Sequence, residues 1–311
     1  MKQLLILSGK GGTGKTTVAG AFIKLAKNKA FADCDVDAPN LHIVYSNPEV
    51  KQEKPYYGFK KAVKNYDICI DCGKCEELCR FEAIEDGILK PMECEGCGVC
   101  EAFCPVEDDE GKKAIHLEDN ISGTTTVSKI NGELFSQAQL KMGNGASGKL
   151  VSEVKKNLKD FATDEELAII DGSPGIGCPV IASITGVDLV LIVAEPTISG
   201  IHDMKRIIDT AKRFGAPCLV CINKYDVNLD NTYEIEEFCK SENIPLIGKI
   251  PYDPMVVKAV NQGKTIIDIK ESIAAEALKD IWTETYSILL NETSFRGGFA
   301  PPLNVSRVHT R

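Results

Sequence analysis

Two sets of residues in this sequence have the types and the spacing to do chemistry. Gly9-Lys10-Gly11-Gly12-Thr13-Gly14-Lys15-Thr16 satisfies G-x-x-x-x-G-K-[ST], follows the apolar run Leu4–Leu7 and opens a helical pattern, the setting in which such a loop binds phosphate. Its glycines let backbone N–H groups converge on an anion, and the helix N-terminus adds partial positive charge. Lys15 then neutralises the β- and γ-phosphates, and the Thr16 hydroxyl ligates Mg²⁺. The second set is eight of the 13 cysteines, gathered between Cys69 and Cys104. They form two C-x2-C-x2-C-x3-C runs, in which Cys69, Cys72, Cys75 and Cys79 recur as Cys94, Cys97, Cys100 and Cys104, each shifted by 25 positions. Three closely spaced thiolates suit one face of an iron–sulfur cubane, whereas tetrahedral Zn²⁺ needs one quartet with two short pairs. His42, His116, His202 and His309 show no metal-like spacing.

The duplicated runs match the bacterial ferredoxin pattern, whose fourth cysteine ligates the other cluster. The resemblance implies two [4Fe–4S] clusters, the first on Cys69, Cys72, Cys75 and Cys104, the second on Cys94, Cys97, Cys100 and Cys79. Pro105 follows the second run as the pattern has it; Arg80 replaces proline after the first.

The glycine loop carries a resemblance of its own. With Thr17 included, Lys10-Gly11-Gly12-Thr13-Gly14-Lys15-Thr16-Thr17 resembles the deviant Walker A sequence of the MinD/ParA/nitrogenase-iron-protein superfamily, in which the first lysine reaches across a nucleotide-sandwich dimer to the partner's ATP. Gly11 to Thr17 are then nucleotide-binding, and Lys10 and Lys15 are catalytic. Asp33-Cys34-Asp35-Val36-Asp37-Ala38-Pro39-Asn40 looks like switch I, which gives Asp35 the water-orienting role. Leu167 to Gly175 looks like the Walker B strand and switch II, with Asp171 behind the Mg²⁺ and Gly175 near the γ-phosphate. Asn223 resembles the adenine-reading asparagine, and Pro251 and Asp253 the second base-side loop. The resemblance implies an Mg²⁺-dependent ATPase that forms a homodimer or a heterodimer with a paralogue. Cys178 stands seven residues past Asp171, where the nitrogenase iron protein has a ligand for an intersubunit cluster. The segment 121–149 offers no second cysteine, so no bridging cluster of that type is expected.

The elements that must position these groups follow from periodicity. Leu4–Leu7, Leu167–Ile170, Leu189–Val193, Cys218–Ile222 and Leu246–Ile250 read as buried strands, alternating with helical patterns at Lys15–Lys27, Lys149–Phe161, Ile201–Phe214, Thr232–Glu242 and Glu271–Leu290. That is the βαβ rhythm of a parallel sheet. The expected fold is α/β, a mostly parallel sheet with helices on both faces, interrupted by an inserted α+β ferredoxin-like domain. The boundaries read as 1–59 and 120–290 for the nucleotide-binding domain, 60–119 for the insert and 291–311 for a flexible basic tail. Cys34, Cys218, Cys221 and Cys239 lie in or beside apolar elements and read as core residues.

Charge is distributed unevenly. Residues 61–120 hold sixteen acids against seven bases, so this segment alone carries the chain's whole net charge of −9. Such a balance argues against a nucleic-acid surface and makes the insert a docking face for a basic redox partner. No apolar window is long enough to span a bilayer and Leu4–Leu7 runs into the glycine loop, so a cytoplasmic protein with reduced or metal-bound thiols is expected. Three functions fit: an ATP-driven dimer that delivers electrons from its clusters, a cluster carrier resembling the Mrp type, and a positioning switch resembling MinD or ParA. The acids of Glu271–Leu290 oppose membrane anchoring by that helix.

Overall fold

The computed structural model describes residues 1–145 and 147–291; the basic tail lies, past its first residue, outside the described residues. Strands occur in chain order as β1 (Lys2–Leu7), β2 (Lys29–Asp33), β3 (Glu49–Tyr57), β4 (Lys61–Lys64), β5 (Ile84–Glu85), β6 (Ile88–Leu89), β7 (Ile115–Glu118), β8 (Ile121–Ile130), β9 (Glu133–Leu140), β10 (Leu167–Asp171), β11 (Leu189–Ala194), β12 (Cys218–Asn223) and β13 (Leu246–Ile250). Nine of them form one sheet in the order β13-β12-β11-β1-β10-β2-β9-β8-β3. The pairings from β13 to β9 are parallel, and those of β9 with β8 and β8 with β3 are antiparallel.

β1 lies mid-sheet with Leu4 to Leu7 wholly buried, because both faces are covered; a strand of this kind needs apolar residues at every position. Leu5 and Leu7 face one core beneath the helices Ser147–Phe161 and Ile198–Arg213, while Leu4 and Ile6 face the other beneath Lys15–Leu25 and Ile273–Leu290. The strands expected from apolar runs are all present within a residue or two.

The antiparallel edge is a correction. Periodicity gave no strand at β3, β8 or β9, because Thr124, Thr125, Thr126 and Ser128 dilute the apolar pattern of β8, while the three threonines satisfy strand geometry through β-branching. A signal was present: Asn131-Gly132 joins β8 to β9 with φ of 53° and 86°, the two left-handed residues of a type I′ hairpin turn. β3 closes the edge with Glu49, Lys51, Glu53, Lys54 and Pro55, a composition that discourages further strand addition.

Between β3 and β8 the chain makes the cysteine-rich excursion. Tyr57 and Ile121 are paired at its root, and neither small sheet inside it, β4-β7 or β5-β6, shares a strand with the large one. Among the described residues no helix is long and apolar enough to cross a membrane.

Candidate functional site

The glycine loop, Asp33, Asp171, Glu195 and Asn223 all lie at the C-terminal ends of parallel strands, where α/β sheets bind ligands. Two glycines of the loop are needed for its course. Gly12 and Gly14 have φ of 82° and 94°, and a Cβ on Gly14 would lie 2.2 Å from the Asn223 amide nitrogen. That amide donates to the Thr13 carbonyl at 2.7 Å, so Asn223 is locked against the loop. Lys15 then opens the helix Lys15–Leu25. The loop borders a cavity of about 380 Å³, whose lining includes Gly11, Gly12, Thr16 and Thr17 together with the apolar Val256 and Val260.

The charges at the loop's base are paired within the chain. Lys15 is 5% exposed; its Nζ lies 2.6 Å from Asp171 Oδ1 and 4.0 Å from Asp35 Oδ2, and Thr16 Oγ1 donates to Asp171 Oδ2 at 2.7 Å. Burial works against the Lys15 charge, but Asp171, Asp33 and Asp35 outweigh it and hold its pKa above the usual value. An incoming polyphosphate therefore competes with Asp171 for this ammonium. Gly175, with φ of 91°, donates its N–H to Ser8 O at 3.1 Å. Ser173 Oγ donates to Cys34 O at 2.5 Å, which ties the segment after β10 to the one after β2.

Asp33 was not singled out by its motif, yet it is fully buried beside Asp171, its register partner across β2 and β10. Its carboxylate accepts from the backbone N–H groups of Asp35, Asn40 and Leu41 at 3.0, 2.8 and 3.0 Å. Burial and then Asp171 prevail over these donors and push its pKa from 3.8 to about 7. The folded chain thus keeps a proton that the unfolded chain has already released between these two values. The associated stability is complete below the lower value and is lost as pH rises towards 7. Without nucleotide or Mg²⁺, the melting temperature is expected to fall between pH 5 and 7.5, and Asp33→Asn to remove a component on the order of 2 kcal/mol. Equal slopes in thermal melts of the two proteins would overturn this.

Lys10 is held by its own chain. Its Nζ lies 3.2 Å from Glu195 Oε2 and 3.1 Å from Thr197 Oγ1, while Lys224 reaches Glu195 Oε1 at 2.8 Å and Gly12 O at 3.3 Å. Burial opposes the Glu195 charge, and the two lysines more than compensate, lowering its pKa. Glu195 was missed by motif, although an acid directly after a fully buried strand was a visible signal. Asp253 is bonded at two helix starts. Its Oδ2 accepts from Ser272 Oγ at 2.6 Å and Ala274 N at 3.3 Å, and its Oδ1 from Met255 N at 2.8 Å. It caps the helices Met255–Asn261 and Ile273–Leu290 and does not line the cavity. Pro251 follows β13 at the same sheet edge, also off the cavity wall.

In the cysteine lobe the 25-residue repeat is also a repeat of backbone conformation. Asp71 and Gly73 have φ of 50° and 73°, Gly96 and Gly98 of 66° and 79°, and the short helices Lys74–Glu77 and Val99–Ala102 follow them. Cys69, Cys72, Cys75 and Cys104 line one cavity of about 330 Å³. Cys94, Cys97, Cys100 and Cys79 line another of about 20 Å³. Backbone N–H groups point at sulfur: Ala62 and Gly96 at Cys94, 3.3 and 3.4 Å, and Asp71 at Cys69, 3.5 Å. Among the described residues no three His, Cys, Asp or Glu side chains form a group that could hold a single metal ion. Cys178 is exposed at the start of the helix Cys178–Ile184. Cys218, Cys221 and Cys239 are packed in the main cores, where burial pushes each thiol up to about 12, the state of an unreactive thiol.

The sequence of residues 4–266 matches the family described as the CobQ/CobB/MinD/ParA nucleotide binding domain. The chain belongs to this family. An uncharacterised protein of Methanocaldococcus jannaschii is 34% identical over 283 residues, covering 90% of this chain and 95% of that protein. An uncharacterised ATP-binding protein of the same organism is 27% identical over 283 residues, 89% of this chain and 85% of its own length. The cell division ATPase MinD of Pyrococcus furiosus shares the fold with a TM-score of 0.56 at 20% identity, covering 92% of this chain and 99% of that one. Nucleotide binding is what the descriptions of the family and of the ATP-binding relative name.

Proposed function

We propose that the chain is an Mg²⁺-dependent ATPase that couples an ATP-driven dimer switch to electron delivery from two [4Fe–4S] clusters. The carrying observation is the crossed grouping of the cysteines: each cavity takes three from one run and its fourth from the other. The donor set fits the group, since cubanes are held by four thiolates and tuned by N–H donors to sulfur. The second cavity has about the room of one water, so its quartet must spread on loading. Bound there, the clusters would supply one-electron storage.

What supports coupling is the connection between the lobe and the nucleotide loop. Lys61, at the lobe's root, donates to Pro91 O at 2.9 Å and to Gly143 O at 3.2 Å. Gly143 lies just before the helix Ser147–Phe161. From that helix Lys155 donates to the carbonyls of Ser183 and Thr185, both at 2.7 Å, at the end of the helix that follows the Asp171–Gly175 segment. Movement of that segment around a γ-phosphate would therefore be passed to the lobe's root. Lys10, freed from Glu195, would be the residue that reaches a second protomer, either a copy or a paralogue, and the acidic lobe would dock a basic redox partner.

The test is the low-temperature EPR spectrum of the dithionite-reduced protein before and after ATP and Mg²⁺. A change in line shape that Lys15→Ala abolishes is expected; a spectrum indifferent to nucleotide would remove the coupling.

A further inference from the structure

Three lysines among the described residues are buried: Lys15, Lys29 and Lys64. Lys15 serves the glycine loop, and Lys29 is taken up by Glu133 and the Ala26 carbonyl. Lys64 is different, because it lies in the wall of the cavity lined by Cys69, Cys72, Cys75 and Cys104. Its side chain is 3% exposed. The ammonium donates to Gly87 O at 2.7 Å and lies 5.0 Å from the Tyr66 ring centroid. Cys69 and Cys75 line the same cavity. The carboxylate neighbour of Lys64, Asp71 Oδ1 at 3.4 Å, belongs to a side chain that is 81% exposed, so water screens that compensation.

The repeat supplies an internal control. Twenty-five positions on from Lys64 stands Leu89, which lines the other cavity and packs on the lobe's small core of Ala62, Ile84 and Ile115. One quartet therefore has a buried cation where the other has an aliphatic side chain. The two also differ in place. Lys61 pairs with Glu118 at the root of the β4-β7 ribbon and Lys64 with Ile115 at its far end. The Ala62 N–H reaches Cys94, and a Cβ on Gly96 would lie 2.0 Å from Lys60 O, so the quartet without the cation sits at the root.

We propose that Lys64 sets the order in which the lobe fills with electrons, so that the quartet at the far end receives the first and the quartet at the root the second. This rests on the reading that both quartets hold clusters. With clusters bound, each reduction would take one electron from an external reductant and add one negative charge inside the cavity that holds the cluster. A fixed positive charge on a buried side chain in the wall stabilises that added charge, and leucine does not. The electron then rests at the end of the β4-β7 ribbon away from its root.

The test is an anaerobic redox titration with dithionite and mediators, followed by EPR, with iron and sulfide measured on each sample. The unaltered protein should titrate in two separated one-electron steps. Lys64→Met should move the upper step down and leave the lower one, changing the sharing of the first electron at least tenfold, which is 59 mV for a one-electron couple. Leu89→Lys should move the lower step up, and it tests the idea even if Lys64→Met fails to fold. Clusters present in both variants with neither step moved would overturn the assignment of Lys64 alone. Absence of iron and sulfide from the unaltered protein would overturn the cluster reading beneath it.

Discussion

Anaerobically reconstituted protein is expected to contain about eight iron and eight sulfide per chain, from two four-iron cubanes. The crossed grouping makes a sharper forecast than the total. Cys72 and Cys104 lie in different runs but line the same cavity, so Cys72→Ala and Cys104→Ala should each remove about half the iron, and the double variant no more than either alone. Cys72 and Cys97 occupy equivalent places in the two runs but line different cavities, so that pair should remove nearly all of it. Iron and sulfide assays with the visible absorption of the clusters decide the matter. If the losses followed the runs and not the cavities, each run would be a site by itself and the crossed arrangement would be wrong. One zinc per chain with no sulfide would end the iron–sulfur reading.

Lys15→Ala should have the largest effect on the nucleotide side, because it changes both a ligand and a buried charge cluster. The ammonium is the cation proposed to meet the phosphates, and its loss should weaken ATP binding at least 10³-fold, about 4 kcal/mol. The same ammonium stands between Asp171 and Asp35, with Asp33 close by. Removing one partner of a buried pair costs about 3–5 kcal/mol, so the variant should also melt lower, and more so as pH rises and the stranded carboxylates ionise. Asp35→Asn should behave differently. Asp35 is half-buried and 4.0 Å from Lys15, so binding should survive while turnover falls about 100-fold, as expected for a residue that orients water. Titration with a fluorescent ATP analogue, phosphate release and thermal melts separate the three effects. An equal loss of affinity in both variants would take Asp35 out of the catalytic role.

Much of the fold and the site was legible because it depends on neighbours close in the chain. Four apolar residues followed by Gly9 to Thr16 specify a buried strand, a left-handed turn and a helix start within fifteen positions, and the structure builds the glycine loop there. The same holds for the cysteine runs, whose repeat reappears as matched left-handed residues and matched helical turns. The antiparallel edge was less legible, since β8 takes its strand character from threonine and not from apolar alternation; only Asn131-Gly132 announced it.

What the tertiary structure alone decided is which charges meet and how much water they see. Asp33 becomes a carboxyl titrating near 7 because the parallel register of β2 with β10 buries it against Asp171. Asp253 is fixed by Ser272 and Ala274, about twenty residues further on, partners that its local motif does not announce. Lys64 looks like one more surface lysine until β4 folds it into a wall of cysteines. Backbone conformation is set largely by adjacent residues, so its signals survive in sequence. A side chain's electrostatic environment is set by burial and by groups distant in the chain, and it exists only once the chain has folded.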